Sequence, residues 1–141
     1  MVIAKPARAE VLFGLDVRAE SLPDDVAASA NAMLARGDMR AALSLLYRGA
    51  LVFLIDDGKI DIARGDTEGI CVRNVARQYD KPRALYFASL VNAWQRVAYA
   101  GEANSNALPS AEEVRVLIAA WAGHFQVRQR DATDAAIVQP A

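Results

Sequence analysis

The sequence predicts an all-α fold, a compact bundle of about five helices with one short extended segment, residues 59–62, between the second and third. Three observations carry that expectation. Val114, Leu117, Ile118, Trp121 and Phe125 recur at the spacing of one helix face. Residues 39–56 are apolar nearly all round, which suits the buried centre of a bundle. Helix signals also punctuate the chain, with Gly37 and Gly58 after apolar runs and the Ser110/Glu113 pair before one.

Taken in order, residues 1–22 hold Val11, Leu12, Phe13 and Leu15 without helical or strand period and read as an arm. The first helix is expected from Pro23, whose missing N–H is no loss at a helix start, with Asp24 and Asp25 complementing the helix dipole. Val26, Ala30, Met33 and Leu34 form its stripe, and Gly37 stops it in a left-handed cap. Asp38 then caps the second helix. Leu43, Leu46, Tyr47, Ala50, Leu51 and Leu54 share one of its faces, and Leu45, Val52, Phe53 and Ile55 much of the other.

Residues 59–62 alternate polar and apolar, which fits a strand or an extended stretch. Thr67 caps a third helix running to residue 79, with Cys71 and Val75 facing inward. Pro82 opens a fourth, in which Phe87, Leu90, Val91, Trp94 and Val97 repeat at helical spacing. A polar loop at 102–109 leads to the fifth helix. The domain is therefore expected to span residues 23–127, preceded by the arm and followed by a tail at 128–141.

At 141 residues the chain is the size of one folded unit. Its 54% hydrophobic and 23% charged residues exclude wholesale disorder. A net charge of −1 lacks the basic excess of a nucleic-acid binder. The opening residues do not read as a signal peptide, because Lys5, Arg8 and Glu10 break the apolar run. The longest apolar stretch, residues 41–55, contains Arg48 and falls short of the roughly 20 residues of a membrane span.

No catalytic, cofactor or metal site is expected. One cysteine and one histidine cannot supply a structural zinc site. Cys71 reads as a small buried hydrophobe and His124 as a favourable charge at a helix C-terminus. The acidic pairs 24/25, 56/57 and 112/113 sit at helix ends, where neighbouring side chains diverge. Helix–extended–helix residues 43–79 could mimic a DNA- or nucleotide-responsive reader, with Arg64, Arg73, Arg77, Lys81 and Arg83 on phosphates. The first two helices also suggest a single tetratricopeptide-like hairpin, too few copies for an array.

Arg48 stands out among apolar neighbours. It either snorkels along its stem or pairs with Glu68 or Asp66, and pairing is the favoured reading. Tyr47, Arg48, Asp66, Thr67, Glu68 and Arg73 are thus expected to form a structural lock. Phe13, Tyr79, Tyr86 and Tyr99 are the aromatics a small bundle has least need to bury, and are expected to form an interaction surface.

Residues 41–51, then Gly58, then Gly65, Asp66 and Thr67 with Arg73, resemble a bacterial domain-of-unknown-function family. That family lies at the C-terminal end of transglutaminase-like membrane proteins and in small membrane-anchored proteins. Trp94, Tyr99, Gly101 and Trp121 resemble its second half, and residues 11–16 its juxtamembrane arm, so the likeness covers residues 11–126. Members commonly carry an acid three residues after the threonine, where this chain has Ile70. The resemblance implies a non-catalytic accessory domain on the cytoplasmic face of the inner membrane, itself inserting no segment. Its implied partners are proteins, a MoxR-type ATPase or a transglutaminase-like membrane protein, in a cell-envelope complex. Without an upstream span the same domain would be cytoplasmic and free.

Overall fold

Asp25, Asp38, Thr67, Asp80 and Ser110 each stand one residue before a helix and accept a backbone N–H from the residue three positions on. Each such cap satisfies a donor the helix cannot pair itself and is worth about 1 kcal/mol. The computed structural model describes residues 9–63, 65–100 and 107–125. Its helices are α1 (Val26–Ala35), α2 (Met39–Asp57), α3 (Glu68–Gln78), α4 (Lys81–Ala98) and α5 (Ala111–Phe125). The tail expected at 128–141, Arg64, Gly101 and most of the loop expected at 102–109 lie outside the described residues.

The all-α bundle is as expected, with differences at its edges. Helix α1 begins at Val26 rather than Pro23, because the Asp25 carboxylate takes the Ala28 N–H and fixes the start there. Gly37, at φ +81°, closes α1 with the paired bonds Gly37 N–H to Leu34 O and Asp38 N–H to Met33 O. Gly58 does the same service for α2 at φ +74°. At α5 only half of the expected capping box forms. Ser110 caps the Glu113 N–H, but the Glu113 carboxylate turns to Arg96 in a two-pronged pair at 2.6 and 3.1 Å.

The arm contains an element that the sequence reading left out. Val11–Leu12 (β1) and Leu15–Asp16 (β2) pair antiparallel around a two-residue turn, Phe13-Gly14, and a 3-10 turn follows at Ala19–Ser21. Both turn residues have positive φ, 53° and 79°, as a primed hairpin turn requires. Residues 59–62 pair with no strand among the described residues. Lys59 and Ile60 lie in a bend and Asp61 and Ile62 in irregular chain, so the alternation reflects a strap, not a strand, that buries Ile60 and half-buries Ile62.

Helix α2 is the centre of the bundle and packs against α1, α4 and α5, while α3 packs on α4. Leu43, Leu46, Tyr47, Ala50, Leu51 and Leu54 are all fully buried on it, with Leu45 and Val52 buried on the far side. A close approach is at Gly49, where Trp121 of α5 lies against the α2 backbone and its Nε1 donates to Leu46 O at 2.9 Å. Among the described residues no helix is long and apolar enough to cross a membrane.

Candidate functional site

Tyr47 and Arg48 are consecutive on α2, so their side chains leave the helix about 100° apart. Tyr47 points towards α3 and α4. Its hydroxyl donates to Glu68 Oε2 at 2.8 Å, and Gln95 Nε2 donates to the other oxygen at 2.9 Å. Burial, with the Glu68 carboxylate next, pushes the Tyr47 phenol far above its ordinary value. Arg48 points the other way, to the arm, and donates to Asp16 O, Ser21 O and Ser21 Oγ at 2.9–3.0 Å.

The expected lock is therefore two devices rather than one. Arg48 pairs with neither Glu68 nor Asp66, since backbone and hydroxyl oxygens of the arm satisfy its fork. Asp66 accepts the Ala63 N–H and Thr67 caps Ile70, so both organise the approach to α3. Arg73 is exposed and makes no ion pair among the described residues.

The expected aromatic surface also divides. Tyr79 and Tyr86 are both buried, because each hydroxyl finds an acceptor at 2.6 Å, Asp57 Oδ2 and Leu117 O respectively. Phe13 is half-buried and stacks on Tyr47 with ring centroids 6.4 Å apart and planes 9° from parallel. A non-glycine residue in that left-handed conformation costs of the order of 1–3 kcal/mol, which the stacking helps to offset. Tyr99 remains 51% exposed, as the sequence reading has it.

Cys71 is buried, and desolvation pushes its thiol up to about 12, so no thiolate forms near neutral pH. His124 stacks on Tyr86 at 4.8 Å, and its carbonyl accepts Arg83 Nε at 2.9 Å. Arg83 lies over Phe53, Tyr79 and Phe125 at 5.0–5.9 Å, so this proposed phosphate contact is occupied inside the fold. No group of three or more His, Cys, Asp or Glu converges among the described residues.

A feature that residue types alone did not reveal lies beside Tyr99. The hairpin, the first turns of α2 and the end of α4 enclose an open cleft of about 600 Å³, lined by Phe13, Leu15, Arg40, Ser44, Trp94 and Tyr99 among others. The Arg40 guanidinium sits 5.3 Å over the Trp94 ring. A signal for it is present in the sequence: Arg40 and Ser44, one turn apart, are the polar interruption at the start of an otherwise greasy helix. Compared with protein-family models, with characterised proteins and with solved structures, the chain matches none.

Proposed function

We propose that the chain is a non-catalytic accessory domain that binds a protein partner through the cleft between the hairpin, α2 and α4. The observation that carries this reading is Tyr99, a large aromatic more than half exposed that lines a cleft together with Phe13 and Trp94. Exposed aromatics beside a pocket are the side chains that most often anchor protein interfaces. The interior lends support, because its polar groups are engaged with one another. Both Glu68 oxygens, the Tyr79 and Tyr86 hydroxyls and the Arg48 fork are all spent on holding elements together.

The likeness of residues 41–73 to domains of membrane-anchored bacterial proteins supports a position facing the cytoplasm at the inner membrane. It also supports a MoxR-type ATPase, within an envelope-linked complex, as the partner to try first. The test is a titration of the full chain with the purified MoxR-type ATPase of the same organism, read by light scattering and anisotropy. Tyr99→Ala is expected to weaken binding tenfold or more, about 1.4 kcal/mol, with an unchanged circular dichroism spectrum. Equal binding by wild type and variant would overturn the assignment of this face.

A further inference from the structure

We infer that the cleft recognises a carboxylate carried next to an apolar side chain, with Arg40 as the anion-binding group and Phe13, Leu15 and Ala98 as the apolar seat. This rests on the interaction reading above and names the chemistry of the partner's contacting segment.

Charge and geometry point the same way. Arg40 stands in the first turn of α2, where the helix dipole is positive and a cation is unfavourably placed. It has no carboxylate partner among the described residues, and it lies against the Trp94 face, which orients the guanidinium without neutralising it. No acidic residue lies in the first turn of α2. The one carboxylate lining the cleft, Asp38, gives an oxygen to the Ala41 N–H at 3.0 Å. With the helix end worth about half a positive charge, Asp38 and Arg40 together leave the lining net positive by about that half.

Ser44, one turn along on the same face, is half-buried, and its hydroxyl has no hydrogen-bond partner among the described residues. A planar fork with a hydroxyl one turn away suits the two oxygens of a carboxylate. Phe13, Leu15, Ala41, Trp94 and Ala98 add apolar surface to this polar lining, and about 600 Å³ is room for a side chain or two rather than a bare ion. A polyanion such as nucleic acid fits poorly, because it needs several cations and the cleft lining offers one.

The carboxylate can come from a chain terminus or from an acidic side chain, and three capped peptides separate the sources. One ends in leucine with a free carboxylate, the second holds an internal glutamate–leucine pair and ends in an amide, and the third is the leucine peptide as its amide. Each is titrated into the full-length ¹⁵N-labelled protein to millimolar concentration. Shifts are expected at residues 13–15, 40–44 and 94–99 with at least one carboxylate peptide and not with the amide.

Which carboxylate peptide shifts them identifies the source. Arg40→Glu, which should fold well because an acid is favoured at a helix N-terminus, is expected to weaken the response tenfold or more. Arg40→Lys should keep part of it. The inference is overturned if no peptide shifts these residues, if the amide binds equally, or if Arg40→Glu titrates as wild type does. An ATPase bound equally by wild type and Arg40→Glu would also refute the carboxylate while leaving the Tyr99 interface intact. Peptides that bind in the cleft of a protein deaf to the ATPase would sink only the choice of partner.

Discussion

Replacing Gly49 by alanine should destabilise the protein, although the same change in an open helix stabilises it. In a helix interior, alanine is favoured over glycine by about 1 kcal/mol. At Gly49, however, an added Cβ would lie 2.6 Å from Trp121 Cζ2 and 3.3 Å from Cη2. A rigid indole cannot yield that much without shifting α5 or breaking the bond from its Nε1 to Leu46 O. Overpacking of this kind costs about 1–3 kcal/mol, and a lost hydrogen bond adds about 1. Set against the propensity gain, the net loss is about 1–3 kcal/mol, a fall in Tm of roughly 3–10 °C for a chain of this size.

Gly123, exposed on α5, supplies the control, because a methyl group added there would meet nothing within 4 Å. Gly123→Ala should hold or raise Tm, by up to about 1 kcal/mol in stability. Urea and thermal denaturation of both variants decide the matter. Should Gly49→Ala gain stability as Gly123→Ala does, the close seating of Trp121 on α2 is wrong. A double-mutant cycle with Trp121→Phe should show a coupling of about 1 kcal/mol or more, since the smaller ring vacates the contested space.

Two further outcomes follow from the interior. Arg48→Ala removes three hydrogen bonds to the arm and should cost about 2 kcal/mol. Hydrogen exchange should accelerate at residues 10–22 far more than in α4 and α5, and uniform acceleration would refute a local role. Alkaline pH should also destabilise the fold, because burial raises the Cys71 thiol from 9.0 to about 12 and lifts the Tyr47, Tyr79 and Tyr86 phenols above 10.0. With folded values above unfolded ones, the stabilisation is complete below about pH 9. It drains away as pH rises and the unfolded chain sheds protons that the folded one retains. Urea midpoints should therefore fall from pH 9 upward, and in a Tyr99→Phe background, which leaves only the three buried phenols, tyrosinate absorbance should appear together with unfolding rather than before it.

The helices and their ends could be read from the sequence because their causes are local. A 3.6-residue stripe and a cap three residues from its donor both lie within one window, and Asp38, Gly58 and Thr67 act as read, while Asp80 rather than Pro82 marks the start of α4. The hairpin escaped because two-residue strands have no alternation to detect, and Phe13 stands where the usual turn signal is asparagine or aspartate. Tyr79 and Tyr86 looked like surface residues because the acceptors that permit their burial lie 22 and 31 positions away in the chain. Arg48 misled for a related reason, since two of its three bonds go to backbone carbonyls, which carry no side-chain signature. The cleft draws on three separate segments and exists only once they are assembled.

Consecutive residues on one rod cannot be swivelled independently, and that has a mechanical consequence for Tyr47 and Arg48. Any torque that rolls the central helix carries phenol and guanidinium through the same angle. One rotational setting of that rod thus has to satisfy the arm through Arg48 and the third helix through Tyr47 at once.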